Sequence, residues 1–433
     1  MTPELGHARW ASPEQAPLHI VRNEQTISVA QNGTWSLRGF LELKVNSESG
    51  RTLVAPFRMP DREDLDETHI VSAEITEGTA TRVIPNTQFK SRQIERKSTR
   101  PFASQKAIEI DFGDAALGAS LRIEYEVFNS RNRVGDLFSM AFVWGQEYPE
   151  LKSNITVESH TPLTFDISKA ATRLLEFKEG RSKDGSRLRW EFGLKAPVYR
   201  RFDGELGGLS TTELIPRVQI SNQKNWSSIA APLSATFEKQ LKAPLPPELK
   251  KIATESSVGR LEDRINSALE KTRGIISRRS DWSPDDNSLG VTSLQEIVKR
   301  RSADPKEFAM VTVAILRAMG IPAHPALAWR EPQTERLIIE EKPSAPGFQI
   351  FNHVLVRWGS ERPRYFDPSL SVSFADGYLT SVGGSWALPL ITNTAELEYL
   401  PLNDPAPSNV KIQQQLEPRS DLSTSIQGTV TIT

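Results

Sequence analysis

Through the first half of the chain, apolar and polar residues alternate one by one. Trp35, Leu37, Leu41, Leu43 and Val45 alternate with Ser36, Arg38, Glu42 and Lys44. Ile108, Ile110 and Phe112 bracket Glu109 and Asp111, and Leu121, Ile123, Tyr125 and Val127 alternate with Arg122, Glu124 and Glu126. A period of two buries one face and wets the other, which is the mark of antiparallel sheets. Lys183-Asp184-Gly185-Ser186 supplies a hairpin turn ahead of a strand around Leu188, Trp190 and Phe192. Residues to about 235 therefore read as β-rich, and many short strands separated by turns predict an antiparallel β-sandwich over 20–240, after a tail at 1–19.

Ala243-Pro244-Leu245-Pro246-Pro247 breaks the alternation, and prolines at this density predict a linker over 241–250. The pattern then turns helical. Leu249, Ile252 and Ala253 share one face, Ile265, Leu269 and Ile276 another, and Leu294, Ile297 and Val298 open a short helix. The next helix carries its own start signals. Asp304 suits the N-cap, Pro305 suits the first turn because its missing N–H has no intrahelical partner there, and Glu307 completes a capping box. Phe308, Val311, Ile315, Leu316 and Met319 follow at helical spacing while Ala309, Val313, Ala314 and Ala318 fill the other faces, so the helix is predicted to be buried nearly all round; Gly320 and Pro322 end it. Strands return at 326–329, 350–358 and 364–367. A polar stretch after about 405 gives way to alternation at Leu422, Ile426, Val430 and Ile432, read as the beginning of a C-terminal β segment over 403–433. The fold class is α+β, with the helical core spanning 251–402.

A chain of 433 residues exceeds one typical core, so two or three domains are expected. Fifty-three basic against 54 acidic residues leave a formal charge of -1, which calls for neither nucleic acid nor an anionic membrane. The basic runs Lys90-Ser91-Arg92 with Arg96-Lys97, Arg278-Arg279 and Lys299-Arg300-Arg301 are each followed or interrupted by acids and lack interleaved aromatics, so they read as solvated faces. No stretch is apolar enough for a transmembrane helix, and Met1-Thr2-Pro3-Glu4-Leu5-Gly6-His7 lacks the features of a signal peptide. Zero cysteines exclude disulfides and thiol catalysis. Six scattered histidines assemble no zinc site, and the acidic loop Asp61, Glu63, Asp64, Asp66, Glu67 lacks EF-hand spacing. Asp285-Asp286-Asn287 reads as a turn, and Gly204-Glu205-Leu206-Gly207-Gly208 does not fit a dinucleotide fingerprint. No cofactor and no metal are expected.

The chemistry-bearing positions cluster late in the chain. Phe351-Asn352-His353-Val354-Leu355-Val356 reads as a strand and Tyr365-Phe366-Asp367-Pro368-Ser369 as the end of the next, so adjacent strands can set His353 beside Asp367, both facing the helix start. A carboxylate beside an imidazole holds its tautomer and stabilises its charged form. The order Ala303-Asp304-Pro305-Lys306-Glu307-Phe308-Ala309, Leu316-Arg317-Ala318-Met319-Gly320-Ile321-Pro322-Ala323, Asn352-His353-Val354-Leu355-Val356, Asp367-Pro368 resembles the transglutaminase-like superfamily. More narrowly, it resembles bacterial proteins that join this core to an N-terminal β-rich domain of unknown function. The resemblance covers about 293–391, including Asp376-Gly377, Gly383-Gly384 and 387–391, and more weakly 20–235 through the strand pattern and Ile220-Ser221 with Asn225-Trp226.

The resemblance implies a papain-like core in which a helix packs on an antiparallel sheet and Cys, His and Asp meet in a cleft. His353 matches the family histidine and Asp367 its aspartate. Pro305 stands where the cysteine belongs, and Ala303 where glycine is common. Asp304, Lys306 and Asn352 fall at the cleft. Pro305 offers neither a nucleophile for a thioester nor an N–H for an oxyanion. Ser302 is the hydroxyl near that position, three residues away, and His324 reads as structural or rim-exposed. The expectation is a catalytically inactive protein that binds or scaffolds a protein or peptide. The alternative is an acyl-transfer enzyme or amide hydrolase using His353 and Asp367 with a non-cysteine nucleophile. A proline introduced in place of a native cysteine is a third reading, against which Ala303 also departs from the pattern. The resemblance favours an extracytoplasmic location where a leader has been removed, and the cytoplasm otherwise.

Overall fold

The computed structural model of the chain describes residues 12–61, 65–94, 105–132, 134–145, 148–198, 216–279, 291–330, 341–348, 351–360, 362–370, 375, 377–378, 382–391, 396–401, 410–418 and 424–432. Glu63, Asp64, Arg96, Lys97, Asp376, Leu422 and the segments 204–208 and 285–287, singled out above, lie outside the described residues. The architecture is mixed α+β, with seven α-helices among the described residues.

The first half is built from β1 (Leu18–Val29), β2 (Trp35–Val45), β3 (Phe57–Asp61), β4 (Asp66–Glu77), β5 (Ala80–Val83), β6 (Phe89–Ile94), β7 (Gln105–Ile110), β8 (Ser120–Asn129), β9 (Ser139–Val143), β10 (Ser153–Ser159), β11 (Thr164–Ile167), β12 (Leu175–Arg181), β13 (Leu188–Leu194) and β14 (Arg217–Ser221). Two short helices, α1 (Glu48–Leu53) and α2 (Lys169–Leu174), interrupt them. Eight strands form one sheet in the order β12-β13-β10-β1-β2-β8-β4-β5, and two three-stranded sheets, β3-β7-β6 and β11-β14-β9, lie beside it. Leu37, Leu43, Ile75, Leu121 and Ile123 of the large sheet share one buried cluster with Met59 and Ile110 of one small sheet and Phe142, Val218 and Ile220 of the other. The β12–β13 hairpin closes through the turn read from sequence, with Gly185 at φ +71° and the Asp184 carboxylate accepting from the Ser186 amide and hydroxyl.

Two expectations are corrected here. The large sheet is not purely antiparallel: β1 and β10 pair in parallel, from Asn23 opposite Ser153 to Val29 opposite Ser159. Alternation reports burial of one face and is blind to strand direction, and β10 reaches β1 after a long excursion rather than through a hairpin. The segment 227–241, read as β-rich to about 235, is instead the helix α3 (Ser227–Leu241). Ile229, Ala230, Leu233 and Phe237 lie buried at three- and four-residue spacing, and Pro232 inside the helix hides that period from a reading that treats proline as a breaker.

The second half follows. The proline run at 244–247 leads straight into α4 (Pro247–Glu255), whose Leu249, Ile252 and Ala253 are buried, so the expected linker carries a helix start. Next come α5 (Leu261–Ile275), a two-residue strand β15 (Ser277–Arg278), α6 (Leu294–Arg300), its parallel partner β16 (Ser302–Ala303), and α7 (Pro305–Ala318). β17 (Ala323–Ala328), β18 (His353–Trp358), β19 (Arg364–Phe366), β20 (Ser385–Pro389) and β21 (Glu398–Leu400) form an antiparallel sheet in the order β19-β18-β17-β20-β21. Val354, Val356, Phe366 and Leu388 share a buried cluster with Phe308, Val311 and Ile315 of α7, while Leu355, Tyr365 and Ala387 belong to a cluster of their own. Helix α7 is buried from Pro305 through Leu316, as its all-round apolar pattern demands. β22 (Val410–Pro418) and β23 (Thr424–Ile432) form a two-stranded antiparallel sheet. Among the described residues, no helix is long and apolar enough to cross a membrane.

A strap at 341–348 joins the two halves. The Trp226 indole donates to the Pro343 carbonyl at 3.3 Å, and the Ser344 hydroxyl donates to the Phe165 carbonyl at 3.0 Å. Val134 and Leu137, from the β-rich half, sit in the cluster that contains α3 to α7.

Candidate functional site

The helix start is assembled almost entirely by its own sequence. Asp304 Oδ1 accepts from the Glu307 amide at 3.0 Å, and Glu307 Oε2 accepts from the Asp304 amide at 3.1 Å, so both halves of the capping box are present. Pro305 occupies the first turn and is buried. Lys306 Nζ donates to Asp304 Oδ2 at 2.6 Å, with 3% of Lys306 exposed. Glu307 is also the hub of a buried ionic group: Arg300 donates to it at 2.7 Å, Arg279 at 3.3 Å and the Thr292 hydroxyl at 2.6 Å. A buried carboxylate needs such partners, because its desolvation is otherwise uncompensated.

Two strand ends supply the other pair. His353 Nε2 lies 2.7 Å from Asp367 Oδ2, and His353 is 2% exposed while Asp367 is fully buried. Asp367 Oδ1 accepts from the Ser369 amide at 3.0 Å and from the Ser369 hydroxyl at 2.7 Å. Burial pushes the Asp367 carboxyl up, but the His353 charge, the His353 hydrogen bond and the two Ser369 bonds outweigh it and hold the group below its ordinary value. An ionised Asp367 takes a proton-bearing Nε2. Asn352 is committed to the backbone, accepting from the Arg330 amide at 2.6 Å and donating to the Arg330 carbonyl at 2.7 Å. It therefore pins the chain ahead of His353.

Helix α7 packs against both β17 and β18, the strand that His353 opens. Arg317, in the last turn of α7, donates to the Ala323 carbonyl at 2.9 Å, which ties that end of the helix to the first residue of β17. β17 then runs back along the helix it packs against. Ala328, the last residue of β17, is the register partner of His353. Arg278 pairs with Ala303, just ahead of the helix, and Arg278 feels the Asp367 charge, which opposes the lowering of its pKa by burial and by Arg330. Arg273 of α5 donates to the Pro368 carbonyl at 3.2 Å, holding the strand end against the helices.

Sequence reasoning missed Ser369, Glu307 as an ionic hub, and the arginines around Asp367. Ser369 had a readable signal, since a serine two residues after an aspartate forms an Asx-type turn. The arginines had none, because they come from separate elements. Trp329 was missed as well: it follows Ala328, and its buried Nε1 has no hydrogen-bond partner among the described residues. Ser302 lies in β16, and His324 is half-buried beside Arg317, 3.3 Å from its guanidinium. Neither is joined to His353 by a hydrogen bond in this arrangement. The Ser369 hydroxyl is spent on Asp367 rather than on the imidazole.

No family model and no curated protein matches the chain. Among solved structures, a protein of Parabacteroides distasonis described as a "putative protease" matches over 89% of this chain and 72% of its own, at 14% identity and a TM-score of 0.66. A structure described as a TGase matches over 51% of this chain and 52% of its own, at 9% identity and a TM-score of 0.20. An M1 zinc metallopeptidase of Deinococcus radiodurans matches over 51% of this chain and 44% of its own, at 11% identity and a TM-score of 0.24. The chain thus shares its overall fold with the Parabacteroides distasonis protein.

Proposed function

We propose that this chain is a catalytically silent member of the transglutaminase-like superfamily, in which a papain-like core, roughly 251–402, and a β-sandwich, roughly 20–240, serve to bind or scaffold a protein or peptide. One observation carries the reading. The buried helix start at the candidate site presents Pro305, while the His353–Asp367 pair is kept intact at 2.7 Å. General-base machinery without a nucleophile cannot build a covalent acyl intermediate. Proline also removes the amide hydrogen that a nucleophile at that position would add to an oxyanion site, and loss of one such donor lowers turnover by about 10²–10³. The Asp304 cap and the Glu307 box keep the helix well started, so the fold tolerates the missing chemistry.

The experiment is incubation with glutamine-containing peptides plus an amine acceptor, and with amide and ester substrates, alongside His353→Ala. The expected result is no turnover above background for either protein. Turnover by the natural chain that His353→Ala abolishes would overturn the proposal and favour a hydrolase or acyl transferase with another nucleophile.

A further inference from the structure

A second candidate site lies on the eight-stranded sheet and shares no residue with the His353 site. A cleft of about 640 Å³ opens where β1 turns into β2, where β10 ends, and where the β12–β13 hairpin enters β13. Strand register explains the assembly. Val29 pairs with Ser159, and Ser159 pairs with Leu188, so the next positions, Ala30, His160 and Arg187, form a row across three neighbouring strands. The volume falls in the range of about 300–1,000 Å³ typical of small-ligand sites.

The rim is preorganised. Gly33 adopts φ +78°, and a Cβ there would come within 2.1 Å of the Asp136 carbonyl, so the turn fits only as glycine. Asn132 clamps the same turn by donating to the Asn32 carbonyl at 2.8 Å, and Asn32 Oδ1 accepts from the Thr34 amide and hydroxyl. The Asn32 Nδ2, the exposed Gln31 amide, the His160 ring and the Arg187 guanidinium have no side-chain hydrogen bond or ion pair among the described residues, and each belongs to the cleft wall. Trp35 packs against the core cluster yet remains half-exposed in the cleft.

We propose that this cleft binds a saccharide that carries a carboxylate. An indole offers a flat apolar face to the C–H side of a pyranose ring. Gln31, Asn32 and Ser36 supply the neutral donors and acceptors that ring hydroxyls need. Arg187 presents a planar fork matched to a carboxylate, His160 lies in the same row, and no acidic residue lines the cleft to neutralise them. A peptide strand is a poorer fit: β13, β10, β1 and β2 each pair on both sides, which leaves no free sheet edge for an added strand.

The test is isothermal titration of the full chain with oligosaccharides containing galacturonic, glucuronic or sialic acid, with neutral oligosaccharides of equal length, and with pentaglutamate. Saturable binding of at least one acidic oligosaccharide at millimolar concentrations or below is expected, with its neutral counterpart weaker. Arg187→Gln should weaken that binding by about tenfold or more, the scale of a lost charge-assisted hydrogen bond, with an unchanged melting temperature. Failure of every acidic oligosaccharide, indifference to Arg187→Gln, or equal affinity for pentaglutamate would each overturn the proposal.

Discussion

Removing Asp367 tests the buried pair directly. Its carboxylate accepts three hydrogen bonds, from His353 Nε2, the Ser369 amide and the Ser369 hydroxyl, with no exposure to water. Asp367→Ala leaves those donors stranded beside a cavity. Each stranded buried donor costs about 1–3 kcal/mol, and such losses are not additive within one network. Breaking one side of a buried ion pair costs about 3–5 kcal/mol in total. At roughly 2–4 °C per kcal/mol for a unit of 150–250 residues, the melting transition of the helical half should fall by about 8–16 °C for a loss near 4 kcal/mol. Asp367→Asn should cost about half as much: its carbonyl can still serve Ser369, and its amide can donate to an imidazole that switches tautomer. The assay is differential scanning calorimetry of the three proteins at neutral pH. The pH dependence has a fixed sign. The folded-state pKa of Asp367 lies below its ordinary 3.8, so the stabilisation is complete above that value and is lost as pH falls through the lowered one. The gap between the natural chain and Asp367→Asn should therefore hold at neutral pH and shrink in acid below about 3.8. A fall of less than about 2 °C for Asp367→Ala would refute the reasoning, because a buried three-bond carboxylate cannot be removed so cheaply.

Other substitutions probe the neighbouring parts. Pro305→Cys restores an amide hydrogen and a thiol at a helix start, so alkylation by iodoacetamide should titrate below the ~8.5 of a free thiol, and His353→Ala should raise that midpoint; labelling only after denaturation would place position 305 outside any shared crevice. Glu307→Gln strips the carboxylate from Arg279, Arg300 and the Asp304 amide, and should lower stability by about 3 kcal/mol, read as an earlier calorimetric transition. Ser369→Ala removes one hydroxyl bond to Asp367 and should cost only about 1 kcal/mol by the same measurement. Gly39→Ala should destabilise the β-rich half by about 1–3 kcal/mol, because the new Cβ would lie 2.1 Å from the ring of its cross-strand partner Tyr125; circular dichroism on heating would show it, and an unchanged midpoint would mean the ring is free to move.

Local rules are legible where a single element answers to a single period. Helix α7 is the clearest case: cap, proline, capping box, apolar faces and terminal glycine all agree, and the folded chain follows them residue by residue. The buried faces of α4 and α5 were visible for the same reason. Helix α3 was lost because one proline, Pro232, outweighed a correct three- and four-residue spacing. The parallel β1–β10 pair could not be read at all, since strand partners and their directions are choices made between distant segments.

The sequence by itself determined the chemistry on offer: a helix that starts on Pro305, an imidazole and a carboxylate on successive strands, and no thiol anywhere. Only tertiary structure decided the company those groups keep. It sealed His353 and Asp367 from water, spent the Ser369 hydroxyl on the carboxylate, brought arginines from two separate elements to the Asp367 strand end, and aligned Trp35, His160 and Arg187 along one cleft. The physical reason is range. Capping and amphipathic period act over a few residues, whereas burial, ion pairing and strand register depend on segments far apart in the chain that meet only in the folded core.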